Sequence, residues 1–338
     1  MSQDLLVRAP VGLLPVLLYL ALLLWMDSYK LVTLRAVLAV ILAGAGTAVV
    51  AYFVNGELRA MSGLPFDSYV RYVAPAVEEL LKGLVVVALF RAHRIGFLVD
   101  GAIFGFAVGA GFAVAENFFY LAIAGDQNIA VWIVRGCGTA IMHGAASAIF
   151  AIVAQVLTER NMKINPLLYL PGLLIAQALH SAFNHFPLHP ILMAVLMVVV
   201  VPPLLWFVFR VSAARMHRWL ELDFDADALL LEQIKSTEFS NSRIGRFLDD
   251  LRQAFDGPTV VDMLCYLRLY TELAMRAKGV LMMREAGLDA PVGERTRAKF
   301  EELDYLERSI GKTGVLALRP FLHMERKDLW QLNVLDQK

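Results

Sequence analysis

Glu78, Glu79 and Lys82 lie within about one and a half helical turns inside an apolar run over residues 69–90. That run is long enough to cross a bilayer. A charge at the centre of such a helix costs about 2.5–3.5 kcal/mol on insertion scales, and three together on the order of 8 kcal/mol, less what pairing recovers. Groups held at that cost serve either chemistry or an ion pair that fixes packing. Lys82 follows Glu78 by four residues and Glu79 by three, and both spacings bring it to a carboxylate on a helix. It can neutralise one glutamate and leave the other free to act as a general base on a water.

Three further apolar stretches carry polar groups. The stretch at 97–124 reads Asp100-Gly101 through Gly105, Gly109 and Gly111-Phe112-Ala113 to Glu116-Asn117. Glycines at every fourth position make a smooth helix face for close backbone packing, which accounts for them without any chemistry. Glu116 and Asn117 fit either a solvated interface or a site. The stretch at 129–157 holds Arg135, a candidate partner for a carboxylate on another helix, and His143 near its middle. In the stretch at 167–186, His180 and Asn184 share a helix face at four-residue spacing. His185 and His189 read as interfacial. Each residue alone has a bland reading. Together, three glutamates, two histidines and an asparagine come from four consecutive helices in the apolar layer, and helix bundles assemble metal and catalytic sites from facing side chains in this way.

The elements that must position these groups follow from the composition. The chain has 338 residues, 58% of them hydrophobic, with mean hydropathy +0.60 and zero formal net charge. That profile belongs to a polytopic membrane protein, with no bulk basic field for nucleic acid. We expect an all-α, polytopic helix bundle with about seven transmembrane helices, at residues 11–26, 34–54, 69–90, 97–124, 129–157, 167–186 and 190–209. The first reads as a retained helix, because no small-residue cleavage pattern follows it. Lys30, Arg35, Arg91, Arg94, Arg160, Lys163, Arg210, Arg215 and Arg218 all fall on one side of seven spans. The positive-inside bias then places the N-terminus outside and the C-terminus in the cytoplasm, with the chain in the inner (plasma) membrane.

The domain division expected is 1–214 for the membrane bundle and 215–338 for a cytoplasmic all-helical domain. In the latter, Val260, Leu264, Leu267, Ala274 and Leu281 recur at helical spacing. Pro258 opens that helix, residues 288–293 read as a loop, and a further helix covers about 294–309. Its charged faces read as solvated surface. Cys137 and Cys265 lie in regions of opposite character, so a disulfide between them is not expected, and no cysteine spacing for zinc exists.

The ordered set Glu78-Glu79-Leu80-Leu81-Lys82, Asp100-Gly101 through Phe112 to Glu116-Asn117, His143, and His180 with Asn184 resembles the PrsW family of intramembrane proteases, related to the CAAX-prenyl endopeptidase superfamily. The resemblance covers about residues 69–186 and leaves the C-terminal domain untouched. It implies that Glu78, Glu79, His180 and His143 are catalytic. Lys82, Glu116, Asn117, Arg135 and Asn184 support them. The substrates it implies are membrane-anchored proteins, with anti-sigma factors the best-known example.

Peptide hydrolysis needs an activated water and a held oxyanion. Glu78 or Glu79 serves as the base. The histidines have two jobs open to them. They can ligate Zn²⁺ together with a carboxylate, Glu79 being the one expected, and leave a position for water. Or they act without metal, His180 and Asn184 donating to the oxyanion. Two rival classes stand beside the protease: a non-catalytic membrane scaffold, and a proton-coupled transporter, since intramembrane Glu and His also mark proton relays.

Overall fold

The computed structural model describes residues 3–123, 128–159, 165–288 and 294–322, with Trp330 and Leu335. Among them there is no strand, and the chain divides into two compact units, Met1–Ala213 and Ala214–Lys338. The first unit holds α1 (Gln3–Met26), α2 (Leu34–Ser62), α3 (Ala74–Arg91), α4 (Leu98–Ile123), α5 (Ala140–Thr158) and α6 (Leu170–Asn184). The long α7 (Pro190–Lys235) begins in this unit and ends in the second.

Six helices among the described residues are long and apolar enough to cross a membrane. The stretch at 69–90, expected as a seventh, is not one of them. It is helical from Phe66 to Arg91, but Glu78, Glu79 and Lys82 fall together in its apolar stretch, and the number of charges, not a lack of apolar residues, sets it apart from the other six. The chain is an integral membrane protein built as a helical bundle, and the helix that brings Glu78 and Glu79 carries three charges within its apolar stretch.

The hub is α4. Of its most apolar window 89% is buried, against 22% for α2 and for α7, so α4 is enclosed by protein while the other two show most of their surface outward. Its small residues explain how. A Cβ on Gly109 would overlap the carbonyl of His143, and one on Gly105 would lie 2.6 Å from the Ser147 carbonyl. The four-residue glycine stripe is therefore the seat of α5. On the other side Gly44 of α2 meets the Val108 carbonyl, and Gly111 meets that of Ile41. The first turn of α4 is fixed by Asp100, fully buried, whose carboxylate accepts from the backbone N–H groups of Gly96, Phe97 and Gly101 at 2.8–2.9 Å.

Two wide, π-type turns interrupt the bundle, at Tyr69–Val73 before α3 and at Val134–Thr139 before α5. The first has a local cause. Pro75 carries no N–H, and its ring crowds the carbonyl four residues back, Arg71. A wide turn would take its donor to Val70 from residue 75, and a regular turn would take its donor to Arg71 from the same place. Both carbonyls are met instead from α6: Asn184 Nδ2 donates to Val70 at 3.0 Å, and Ser181 Oγ to Arg71 at 2.6 Å.

The second unit holds α8 (Arg243–Leu251), α9 (Gly257–Glu285) and α10 (Glu294–Leu318). Asp256 caps α9 by accepting from Thr259 N, with Pro258 in its first turn. Val260, Leu267, Ala274 and Leu281 are buried along one stripe, as their spacing predicts, while Leu264 is half-buried at its edge. The last helix runs past the expected 309, with a break at Gly311 (φ 65°). Of the expected loop at 288–293, all but Leu288 lies outside the described residues. Cys137 and Cys265 are free thiols.

Candidate active site

The site is assembled from α2, α3, α4, α5 and α6 at the end of the bundle where α2 terminates. Glu79 and Lys82, both almost fully buried, form an ion pair at 2.6 Å. The same oxygen of Glu79, Oε1, lies 2.8 Å from His180 Nδ1. A carboxylate paired to an ammonium can only accept, so His180 donates through Nδ1, and a neutral ring then keeps its lone pair on Nε2. That nitrogen faces Glu78 Oε2 at 3.8 Å. Two acceptors opposed across such a gap repel unless a proton or a cation lies between them.

His143 stands between two partners. Lys82 Nζ lies 3.1 Å from its Nδ1 and donates there, so Nε2 carries the ring proton and points at Glu116 Oε2, 3.4 Å away. Glu116 is also 3.1 Å from Arg135 Nη2. Arg135 is held in turn: its Nε donates to Asn117 Oδ1 at 2.8 Å, and its guanidinium lies 3.8 Å over the Tyr120 ring. Asn117 completes the chain by donating to the Gly12 carbonyl of α1 at 2.7 Å. Phe112 packs on both sides of the junction, 4.9 Å from Lys82 Nζ and 4.9 Å from the His143 ring. The two histidine rings meet edge to face at 4.7 Å.

One atom each from Glu78, His143 and His180 lies within 4.8 Å of the others. Two imidazoles and one carboxylate are a donor set that suits zinc, and the opposed acceptors of His180 and Glu78 leave a gap of the right polarity. His143 fits with an exchange: taking a cation on Nδ1 displaces Lys82, and taking it on Nε2 displaces the contact to Glu116. Glu79 is the carboxylate ligand expected from the sequence. The structure brings Glu78 to that position and leaves Glu79 behind the histidine, for a reason of helix geometry. Glu79 lies on the face turned to Lys82 and His180, and the adjacent residue points about 100° around the axis into the open.

What Glu78 faces is a cavity of about 600 Å³. Glu116, Arg135, His143, His180 and Asn184 line it as well, and Tyr52, Phe53, Phe119 and Phe186 supply an aromatic wall. Asn184, expected as a donor to an oxyanion, spends one N–H on the Val70 carbonyl. It fixes the turn before α3 from one helical turn beyond His180, which sets the helices of Glu78 and His180 against each other. His185, expected at the interface, bonds Tyr72 Oη at 3.0 Å on the same seam. Three residues of the site are not singled out by the sequence: Phe112, which stands there only as part of a motif, and Asn55 and Tyr69. Asn55 Nδ2 is 3.3 Å from Glu78 Oε1, and Tyr69 Oη is 3.0 Å from Asn55 Oδ1.

A membrane bundle with buried carboxylates and imidazoles around a cavity defines the class, an enzyme working inside the bilayer. The model of the PrsW family intramembrane metalloprotease matches residues 32–208, just over half of the chain, and the protein belongs to that family. No curated protein and no solved structure matches the chain.

Proposed function

We propose that the protein is a zinc-dependent endopeptidase that cleaves membrane-anchored proteins at or near the bilayer, anti-sigma-factor-like proteins among them. The observation that carries this reading is the convergence of Glu78, His143 and His180 on one point of a cavity. Those three residues would hold the cation. When bound, it supplies acidification of water and polarisation of the scissile carbonyl.

The remaining work falls to the chain's own groups. Glu79 accepts the Nδ1–H of His180 and so aims Nε2 at the site, the arrangement by which a carboxylate orients a ligating histidine. Lys82 neutralises Glu79 and keeps it from the cavity. Glu116 does for His143 what Glu79 does for His180, with Arg135 and Asn117 holding Glu116 in place. Glu116 also borders the cavity, within reach of a water beside His143, and is the carboxylate placed to take a proton from it. The aromatic wall receives the apolar side chains of the substrate segment and keeps bulk water from the peptide bond.

One observation favours a second, metal-free reading. The Lys82 ammonium already occupies His143 Nδ1, which leaves Glu78 as a general base and the free Nε2 of His180 beside it to take up that proton and deliver it to the leaving amine. The experiment that separates these is metal analysis joined to cleavage. Purified wild type is assayed for zinc and for processing of co-expressed, tagged single-span proteins, in parallel with Glu78→Gln, His143→Ala and His180→Ala. Stoichiometric zinc in wild type, lost in the variants together with processing, supports the zinc reading. Active protein without metal overturns it. Processing that continues in Glu78→Gln overturns the protease reading as a whole, in favour of a scaffold. The transporter alternative has no geometric support beyond the polar groups themselves.

A further inference from the structure

Asn55 sits on the inward stripe of α2. Val37, Val40, Gly44 and Ala51 form that stripe, spaced by whole turns, and are all buried. Asn55 is the next position on it, four residues beyond Ala51, and it lines the cavity. Those four members of the stripe are apolar or small. An amide turned toward the interior of a membrane bundle is held there by a polar partner on another helix. Its partners are Glu78 and Tyr69, and the motifs that carry the family resemblance do not include Asn55.

The direction of the amide follows from those partners. The Tyr69 hydroxyl can donate, and it lies 3.0 Å from Oδ1. An ionised Glu78 can only accept, and its Oε1 lies 3.3 Å from Nδ2. Reversing the amide would set its oxygen against the carboxylate and its NH₂ against the phenol. Tyr69 therefore orients Asn55, and Asn55 anchors one oxygen of Glu78. The other oxygen, Oε2, is left toward His180 Nε2. Lys82 pairs with Glu79, so for Glu78 it is this bond from α2 that sets the rotamer.

We propose that Asn55 is a positioning residue, oriented by Tyr69, that presents Glu78 to the cation shared with His143 and His180. This rests on the zinc reading of the preceding section. An outer-shell partner of this kind is worth about 10- to 100-fold in metal affinity or activity when removed. Asn55→Leu removes the donor. Asn55→Asp keeps the shape and replaces the donor with an acceptor. Tyr69→Phe removes only the group that orients the amide.

The test is equilibrium titration of metal-stripped, detergent-solubilised full-length protein with Zn²⁺ against a competing chelator, with melting temperature measured on the same samples. Zinc affinity should fall about tenfold or more in Asn55→Leu and in Asn55→Asp. In Tyr69→Phe it should fall less, in the same direction. In the cleavage assay kcat should fall while KM stays within about threefold, because the Asn55 amide is engaged by Glu78 and Tyr69 and acts through the carboxylate. A residue that only packs α2 would lower the melting temperature and leave the zinc affinity of the folded protein unchanged, and that result overturns the proposal. Should Asn55→Leu fail to fold, Asn55→Asp and Tyr69→Phe carry the same comparison. Wild type that binds no zinc, or binds it no better than Glu78→Gln, sinks the zinc reading and this inference with it. Wild-type affinity retained in all three Asn55 and Tyr69 variants, with Glu78→Gln impaired, sinks this inference alone.

Discussion

The ammonium of Lys82 and the Nδ1–H of His180 end on the same oxygen of Glu79, at 2.6 and 2.8 Å. With Lys82 gone, a carboxylate that is almost wholly buried keeps one partner. Breaking a buried pair from one side costs about 3–5 kcal/mol, most of it from the charge left behind. Lys82→Met should lower thermal stability in detergent by about that amount. Lys82→Met combined with Glu79→Gln should be less destabilised than Lys82→Met alone, because the stranded charge is gone. The double variant should still fail to cleave. Glu78→Gln has the opposite profile: its carboxylate is held by a single long bond, so the fold should persist while cleavage falls by about 10²-fold or more. The pair is legible in the sequence as a charged group shared between two carboxylates, since three- and four-residue spacings are fixed by the helix. Which glutamate Lys82 chooses is not legible there. That depends on where His180 sits, and His180 is 101 residues away along the chain.

At the scale of elements, the glycine stripe of α4 is readable as a packing face, but its partner is not. That partner is α5, at the residue that carries the imidazole: the backbone of His143 rests on Gly109. Gly109→Ala should force the helices apart, lowering stability by about 1–3 kcal/mol and activity by about tenfold or more through displacement of His143, given how steeply rate depends on placement. Gly46→Ala is the matched control. A Cβ there meets nothing within 4 Å, so activity should stay at the wild-type value and the melting temperature should hold or rise slightly, since Ala is the better helix former. The end of α2 departs from expectation. Hydropathy ends the span at 54, whereas the helix continues to Ser62 and stops at Gly63 (φ 64°). Asn55 falls one residue outside the expected span, where a polar side chain attracts no notice. The inward stripe at 37, 40, 44 and 51 is present in the sequence, and extending it by one turn points to Asn55.

For the whole molecule, the helical class and the membrane character are legible because apolar runs of bilayer length rarely arise in any other kind of fold. All the residues of the candidate site lie in the first unit. The second is legible only as an amphipathic helical domain, since its stripe shows packing and carries no catalytic motif. Orientation rests on the distribution of Lys and Arg, which predicts that the end of α2 and the cavity mouth face outward. With Cys137 and Cys265 replaced by Ser, a membrane-impermeant thiol reagent applied to intact cells should label Ser62→Cys and spare Ala92→Cys until the membrane is opened. The reverse pattern would place the cavity on the cytoplasmic side and require a different set of substrates.

The widened turn at Tyr69–Val73 has an arithmetic consequence. Such a turn accommodates one residue more than a regular helix would, and each residue carries the chain about 100° around its axis. Because that extra residue is taken up within a single circuit, shortening the segment by one would let the ladder run on smoothly and leave Glu78 and Glu79 at nearly the same angle to the imidazoles. The loss would fall on the turn itself, where the Val70 and Arg71 carbonyls would lose their alignment with Asn184 and Ser181. Past the turn there is no such slack: one residue inserted between Ala74 and Val77 should carry both carboxylates about 100° away from the imidazoles and silence the protein with every named side chain in place.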